Sequence, residues 1–246
     1  MKSLLAAVRF LTILPIPDWG TAEEDLARSV PWFPVVGLSL GILAAALAWG
    51  VQPFAPPMLT AVGIIVLLLS FSGCLHLDGL ADTADGFLSS RSRERILEIM
   101  KDSCTGAMGV TAIVCLLLVK FASLGSLPAD DLWRAVLLMP LAGRCAIVVH
   151  MATVPSARPG GLGSVFYRKP PRWAAVWAAG FLAAVAYALL ESRGLMVWAV
   201  CVALTLAWSA YVYRKIGGAT GDTFGAVCEM IEAMPPVLLA LGTVQK

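Results

Sequence analysis

Seven long apolar stretches limit what this chain can fold into. Each is about as long as the roughly 20-residue helix that crosses a bilayer. Glu229, Glu232 and the pair Pro235-Pro236 interrupt the last stretch, which we expect to be a broken or tilted helix. The pattern predicts an all-α, polytopic transmembrane helical bundle with about six to seven spans. The stretches are residues 31–51, 58–75, 106–124, 132–154, 173–190, 195–213 and 225–241.

Composition supports the membrane class. The chain has 246 residues, of which 59% are hydrophobic and 14% are charged, with a mean hydropathy of +0.83. An ordinary soluble domain carries more charge than this. The net charge of +2 gives no indication of a nucleic-acid partner. The sequence shows no internal repeat and no linker, so we expect residues 1–246 to form a single domain. The six cysteines form no CxxC pair, and we expect them to be reduced thiols.

The N-terminal segment precedes the first span and is too short to cross a membrane. Arg9 interrupts its apolar residues, and no cleavage pattern of small residues precedes Asp18. We therefore expect residues 3–14 to form a short interfacial or re-entrant helix that ends at Pro15 and Pro17.

Basic residues are concentrated in alternate connections between the stretches. Thirteen of the 18 Lys and Arg residues fall in this set, which the positive-inside rule assigns to the cytoplasm. The acidic motifs described below lie in the same connections, so they can converge on one cytoplasmic site. The thirteen are Lys2, Arg9, Arg28, Arg91, Arg93, Arg95, Lys101, Arg158, Arg168, Lys169, Arg172, Arg214 and Lys215.

Residues 76–86 (HLDGLADTADG) carry three carboxylates directly after the second apolar stretch. On a helix, Asp78, Asp82 and Asp85 fall within an arc of roughly 60°. Carboxylates aligned in this way repel one another unless a cation lies between them. Ligands that are all oxygen favour a hard ion, Mg²⁺ before Ca²⁺ or Mn²⁺. His76 lies about 160° from Asp78 around such a helix, so it is a candidate for a substrate contact or a helix cap rather than a metal ligand.

Two further acidic groups belong to the same set of connections. Glu94 and Glu98 are typical of a solvated helix with surface ion pairs, whereas Asp102 begins the connection to the third span and is expected to face the site. Asp222 and Glu229 lie about 20° apart on a helix. An N-cap would explain Asp222 alone but not the repetition of carboxylates on one face.

Several basic residues could hold a phosphate. Residues 158–164 (RPGGLGS) combine glycines with Arg158, and Arg168 and Lys169 follow, a composition typical of a phosphate-binding loop. The alternative interpretation is an ordinary basic loop on the inner side that sets the topology. Arg144 lies deep in the fourth stretch and must face protein or water rather than lipid, where it could contact a phosphate or pair with a carboxylate. His150 is expected at the membrane interface.

These groups suit one class of reaction. Carboxylate-bound Mg²⁺ would hold a diphosphate and stabilise a departing nucleotide, while a carboxylate takes the proton of an attacking alcohol. The predicted metal ligands are Asp78, Asp82, Asp85, Asp102, Asp222 and Glu229. Asp82, Asp85, Asp102 and Asp222 are the catalytic candidates, with the base among them undecided. His76, Lys101, Arg144, Arg158, Arg168 and Lys169 are the candidates for substrate contacts.

The motif at residues 76–86 resembles the signature of the cobalamin synthase family, the adenosylcobinamide-GDP ribazoletransferases. Residues 99–103 (IMKDS), 221–223 (GDT) and 10–17 (FLTILPIP) are similar to further family motifs in the same order. Two positions depart from the pattern. Cys74 stands where the family usually has Gly, and residues 104–108 (CTGAM) replace a run that usually begins with Arg.

The resemblance implies an Mg²⁺-dependent enzyme of the bacterial inner membrane with a cytoplasmic active site. It would join adenosylcobinamide-GDP to α-ribazole or its 5′-phosphate and release GMP. The resemblance also leaves room for a homo-oligomer or a complex with other cobalamin-assembly enzymes.

Three other functions remain open at the sequence level. The chemistry also suits another phosphotransferase that joins a nucleotide-diphospho compound to an alcohol. Carboxylates in apolar stretches and a broken last helix also suit a cation-coupled transporter, whose carboxylates should lie near the midplane of two related halves. A structural scaffold within a cobalamin-assembly complex would tolerate Asp→Asn changes.

Overall fold

The computed structural model describes residues 2–16, 22–158, 165–168 and 172–243. These residues form helices and, within the described ranges, no strand; one isolated β-bridge joins Ser156 to Ala219. The helices, in chain order, are α1 (Lys2–Leu11), α2 (Glu23–Ala27), α3 (Phe33–Val51), α4 (Pro57–Ser72), α5 (Leu75–Phe87), α6 (Arg93–Ile99), α7 (Ala107–Gly125), α8 (Ala129–Thr153), α9 (Arg172–Ile216), α10 (Gly221–Glu232) and α11 (Met234–Thr243), with 3-10 turns at Val30–Trp32 and Phe166–Arg168.

Five stretches of the described chain are long and apolar enough to cross a membrane, and α4 with α5 forms a sixth that is bent by 90°. The last of the five runs from α10 through Ala233 into α11 as one span, so the expected break in the final helix is limited to that residue. The predicted all-α polytopic fold is confirmed.

Helix α9 is a helical hairpin rather than one rod. Its backbone leaves the helical region at Glu191 (φ 53°, ψ −128°). The indole N–H of Trp198 donates to the carbonyl oxygen of Ala179 at 2.9 Å, although 19 residues of straight helix would separate these groups by about 28 Å. The two halves, residues 172–190 and 192–216, therefore run antiparallel, as the fifth and sixth apolar stretches predict.

Helix α8 lies at the centre of the bundle, and 89% of the residues in its most apolar 18-residue stretch are buried. It packs against α3, α9, α10 and α11. Small residues permit the close approaches: a Cβ on Gly41 of α3 would lie 2.1 Å from the carbonyl oxygen of Leu137. Such contacts matter in membrane proteins because helix association there depends on van der Waals packing.

The short N-terminal helix also agrees with the prediction, although α1 ends at Leu11, three residues earlier than expected. It is amphipathic and buries Ala6, Ala7 and Leu11. After it, the backbone N–H of Ile13 donates to the carbonyl oxygen of Phe71 at 2.9 Å. This contact places the N-terminal segment beside the joint between α4 and α5.

The connections separate into two sets at opposite ends. Arg193, at the reversal in α9, pairs with Asp131 at 3.0 Å, and a Cβ on Gly125 would lie 3.9 Å from the side chain of Met58. The basic connections meet one another at the other end, where Arg93 donates to the carbonyl oxygen of Ala157 at 3.4 Å. The alternation in the sequence therefore corresponds to two ends of the bundle.

Candidate active site

The acidic motif forms helix α5, which begins after a sharp turn in the backbone. Gly73 and Cys74 both adopt left-handed conformations, with φ of 57° and 59°, and the chain turns by 90° between α4 and α5. Gly adopts this conformation without steric cost, whereas Cys74 adopts it with a side chain. The turn directs α5 away from the axis of α4.

Helix α5 presents its carboxylates on one face. Asp78 is exposed, and Asp82 and Asp85 are half-buried, whereas Leu77 and Leu80 are buried against α7, α9 and α10. The stripe predicted from the spacing of the three aspartates therefore exists.

A close crossing of α5 and α10 places Asp222 beside this stripe. A Cβ on Gly79 would lie 2.8 Å from the carbonyl oxygen of Asp222, and one on Gly225 would lie 2.8 Å from that of His76. Because each glycine faces the other helix, the two backbones touch. This contact unites carboxylates that are more than 130 residues apart in the chain.

The four aspartates form one electrostatic group. Asp78, Asp222 and Asp85 all add negative potential at Asp82, and Asp78 does so at Asp222. Asp222 is partly compensated by the hydroxyl of Thr220, which donates to it at 3.2 Å, and by the positive charge of Arg158. The arrangement has an excess of negative charge on an accessible face.

Asp222 is not the N-cap of its helix. Thr220 occupies that position: its hydroxyl oxygen accepts from the backbone N–H of Thr223, and the hydroxyl of Thr223 accepts from the backbone N–H of Thr220. The capping explanation for Asp222 is therefore wrong: its carboxylate lies in the first turn of α10 and accepts from the hydroxyl of Thr220, but among the described residues it accepts no backbone N–H at the helix terminus.

Asp85 has a structural role at the start of α7. Its carboxylate accepts hydrogen bonds from the backbone N–H groups of Gly106 at 2.6 Å and Gly109 at 2.8 Å. These are unpaired donors at the N-terminus of α7, where a negative charge is favourable. Asp85 thus caps α7 from another helix.

Arg158 is held at the edge of the acidic group by neighbouring loops. Its guanidinium donates to the carbonyl oxygen of Leu97 at 2.9 Å, and its Nε is buried without a partner among the described residues. Two backbone hydrogen bonds, from Ala157 to Ala219 at 2.9 Å and from Ala219 to Pro155 at 2.7 Å, fix this segment beside the start of α10. Among the basic candidates whose side chains the structure describes, Arg158 is the one whose charge lies at Asp222.

Lys101 and Asp102 lie at the rim. Both are exposed, and Asp102 accepts from the backbone N–H of Cys104 at 3.1 Å in a local turn. No contact joins Asp102 to the other aspartates within the described ranges. Its loop reaches the site four residues later, where Gly106 binds Asp85.

Glu94 and Glu98 belong to the surface, as expected. Hydrogen bonds from its own backbone N–H and from Ser92 hold the pKa of Glu94 below its usual value. Glu98 pairs with Arg95 at 2.8 Å, and both side chains are exposed.

Two predicted site residues, Arg144 and Glu229, lie instead in a buried charge cluster with Lys120 and Glu232. Lys120 donates to Glu229 at 2.7 Å and to Glu232 at 2.9 Å, and Arg144 pairs with Glu232. The expectation that Glu229 joins the metal ligands is corrected, because a buried ammonium group occupies its carboxylate. Arg144 likewise pairs with a carboxylate rather than a phosphate.

His76 is close to this cluster and not to the acidic stripe. Its side chain is 3% exposed and interacts electrostatically with Arg144, Glu232 and Lys120. The prediction of a substrate contact for His76 is therefore corrected. His150, expected at the membrane interface, is also buried, with Ser209 at 2.8 Å and Thr223 at 3.3 Å from its ring nitrogens.

Lys120, which pairs with both buried glutamates, was not among the residues singled out from the sequence. A lysine within the apolar stretch at residues 106–124 was a visible signal, because an ionisable side chain inside a membrane span needs a partner. Lys169 and Arg168 stay untested as substrate contacts, because Lys169 and the side chain of Arg168 lie outside the described residues. Residues 159–164 of the glycine-rich loop lie outside them as well.

The donor set fits a hard divalent ion whose coordination is shared with a ligand. Within the described ranges, no three His, Cys, Asp or Glu side chains form a ready-made metal site. Mg²⁺ is commonly held by one or two carboxylates together with water and substrate phosphate oxygens, so such a cage is not required. Asp78, Asp82 and Asp222 offer the oxygen ligands, and Asp85 keeps lone pairs beyond those used by Gly106 and Gly109.

Comparison with known proteins identifies the family of this chain. The family model described as cobalamin-5-phosphate synthase matches residues 3–240. A protein of Acetivibrio thermocellus named adenosylcobinamide-GDP ribazoletransferase is 37% identical over 98% of this chain and 98% of its own. Proteins with the same name from Pseudomonas putida (strain GB-1) and Roseiflexus sp. are 39% and 40% identical, over 98% and 96% of this chain and 100% and 88% of their own. No solved structure matches significantly. The match over nearly the whole chain, together with the intact acidic motif on α5, shows that the protein belongs to the cobalamin-5-phosphate synthase family.

Proposed function

We propose that this protein is an adenosylcobinamide-GDP ribazoletransferase, which transfers the adenosylcobinamide phosphate group to α-ribazole or its 5′-phosphate. The observation that carries the proposal is the crossing at Gly79 and Gly225, which places Asp222 beside the stripe of Asp78, Asp82 and Asp85. The relatives' shared name supplies the substrates, and the acidic site supplies a chemistry that suits them.

In this reaction an acceptor hydroxyl forms a bond to the phosphorus that carries the cobinamide. The pyrophosphate P–O bond breaks, and GMP leaves. The acceptor's proton passes to a carboxylate of the site. Asp82 and Asp222 suit this role best, because each is half-buried and neither caps a helix.

We assign Mg²⁺ as the cofactor, held by Asp78, Asp82 and Asp222 with Asp85 beside them. When bound, it would neutralise the pyrophosphate and the carboxylates that otherwise repel it. Arg158 adds a fixed positive charge at the edge of the site, where it suits a phosphate oxygen. Asp102 and Lys101 lie on the exposed rim, so Asp102 stays a candidate for metal binding or catalysis and Lys101 a candidate for a substrate contact.

The bacterial inner membrane, with the site on the cytoplasmic side, is part of the proposal. The basic connections gather at the site end of the bundle, as the positive-inside rule requires. The transporter alternative receives no support, because the accessible carboxylates gather at one end and the deep ones are paired with Lys120 and Arg144.

The test uses the purified chain in lipid vesicles with adenosylcobinamide-GDP and α-ribazole. We expect GMP and adenosylcobalamin in equal amounts when Mg²⁺ is present, and neither when a chelator removes it. Product formation that is unchanged by the chelator would contradict the assignment of the metal. Absence of GMP release under both conditions, with either acceptor, would contradict the function.

A further inference from the structure

The imidazole of His150, in α8, is fully buried and contacts two other helices through its ring nitrogens. Nδ1 lies 2.8 Å from the hydroxyl oxygen of Ser209 in α9, and Nε2 lies 3.3 Å from that of Thr223 in α10. A neutral imidazole has one donor and one acceptor nitrogen, and a hydroxyl can take either role, so both contacts form together. His150 therefore ties three helices to one point.

The ring is also held from its other sides. The phenyl ring of Phe224 meets the imidazole nearly at a right angle, with 5.8 Å between the ring centroids. Ser209 is held in turn by the hydroxyl of Thr153, which donates to it at 3.2 Å. His150 thus contacts Thr223 and Phe224, the two residues of α10 that directly follow Asp222.

Thr223 passes this restraint to the first turn of α10. Its hydroxyl donates to the carbonyl oxygen of Thr220 at 2.9 Å and accepts from the backbone N–H of Thr220 at 3.0 Å. The hydroxyl oxygen of Thr220 accepts from the backbone N–H of Thr223 at 3.3 Å. Because both threonines are buried, loss of a partner there leaves polar groups unsatisfied and loosens the turn.

The last contact reaches the acidic site. While its oxygen accepts from Thr223, the hydroxyl of Thr220 directs its hydrogen to a carboxylate oxygen of Asp222 at 3.2 Å. The backbone of Asp222 is fixed separately, by its close approach to Gly79. Hydrogen bonds of this kind orient a metal-binding side chain, and removing such a partner typically costs roughly 10- to 100-fold in metal affinity.

We propose that His150 is a positioning residue for the acidic site, acting on Asp222 through Thr223 and Thr220. It holds the first turn of α10 in place, so the carboxylate of Asp222 keeps its direction toward the ion shared with Asp78 and Asp82. The inference rests on the proposed function, in which Asp222 holds Mg²⁺.

Titration of the purified chain with Mn²⁺, followed by electron paramagnetic resonance of the free ion, tests the proposal without any substrate. His150→Phe keeps an aromatic ring and removes both nitrogens, so the dissociation constant for Mn²⁺ should rise roughly tenfold. Thr223→Val removes the hydroxyl that Nε2 contacts and should have the same effect. His150→Gln keeps a polar group and should restore most of the affinity.

Thr60→Val is the matched control. The hydroxyl of Thr60, in α4, is buried like that of Thr223, and it donates to the carbonyl oxygen of Pro56 at 3.3 Å, outside this series of contacts. Its loss should leave the binding of Mn²⁺ unchanged.

Two double variants show whether the effect follows this path. His150→Phe combined with Thr223→Val should bind Mn²⁺ about as weakly as either single variant, because both changes break the same series of contacts. In a chain that carries Asp222→Asn, His150→Phe should weaken binding no further.

Mn²⁺ affinity equal to that of the wild-type protein in His150→Phe, with a lower unfolding temperature, would overturn the proposal, since His150 would then serve stability alone. Independent weakening by His150→Phe and Asp222→Asn would overturn it as well. If His150→Phe does not fold, Thr223→Val and Ser209→Ala decide the question in the same titration. A wild-type chain that binds Mn²⁺ but releases no GMP would contradict the proposed reaction, and the titrations would still decide the role of His150.

Discussion

Gly79 lies directly against the backbone of Asp222, so closely that a single added methyl group would sit 2.8 Å from the Asp222 carbonyl oxygen. Gly225 makes the reciprocal contact with His76. The acidic site is therefore a consequence of helix packing: its carboxylates meet because two glycines let α5 and α10 touch.

The first prediction concerns Gly79 itself. Gly79→Ala should separate α5 from α10 and reduce the rate of GMP release by roughly 100-fold, since displacements of about 1 Å in a site can have such an effect. Gly63→Ala is the control, because a Cβ at Gly63 of α4 meets nothing within 4 Å. Steady-state rates of both variants in vesicles provide the measurement. Equal rates would show that the crossing does not set the site.

The second prediction concerns Asp82, which lies on the open face of α5 and, unlike Asp85, does not cap a helix. Asp82→Asn should abolish Mg²⁺-dependent GMP release and leave the thermal unfolding temperature near that of the wild-type protein. Glu98→Gln, which removes only an exposed pair with Arg95, should retain full activity. Near-normal turnover of Asp82→Asn would refute the assignment and favour the scaffold role.

Asp85 should behave differently from Asp82, although both belong to one stripe. Its carboxylate binds the N–H groups of Gly106 and Gly109, and an amide can accept only through its one oxygen. Asp85→Asn should therefore lower stability by about 1 kcal/mol as well as reduce activity. Thermal unfolding of the two Asp→Asn variants, measured side by side, separates the roles. The same unfolding temperature for both would contradict a capping role for Asp85.

The buried charge cluster leads to a prediction about stability. Lys120→Met leaves Glu229 and Glu232 buried with one cation, Arg144, and should destabilise the protein by about 3–5 kcal/mol. Lys120→Met combined with Glu229→Gln removes one charge of each sign and should recover much of that loss. The comparison of unfolding temperatures in detergent is the test. A double variant that is less stable than the single one would show that the pair is not balanced in this way.

The proposed orientation can be tested by cysteine labelling of intact cells, in a chain whose exposed Cys74, Cys104 and Cys115 are replaced by serine. Ser126→Cys, at the end that holds the Asp131–Arg193 pair, should react with a membrane-impermeant reagent from outside. Ser92→Cys, at the site end, should react only after the membrane is opened. The reverse pattern would place the site outside the cytoplasm.

Much of the fold followed from the sequence because hydrophobic length and helical period are local properties. They predicted the spans, the reversal near residue 191, the break in the last span and the stripe of Asp78, Asp82 and Asp85. The alternation of basic connections likewise predicted which loops share an end. The sequence could not place Glu229, Arg144 or His76, because spacing on one helix does not say which neighbouring helix that face meets.

The sequence by itself determined that this is a helical membrane protein with an acidic motif of one known family, since these properties depend on composition, period and the order of residues. Only the tertiary structure decided which carboxylates stay available. Lys120 and Arg144 approach Glu229 and Glu232 from other helices and neutralise them, and α7 engages Asp85, whereas Asp78, Asp82 and Asp222 remain on an open face. The physical reason is that a charge deep in an apolar bundle must find an opposite charge, and contacts between distant segments determine where that partner lies.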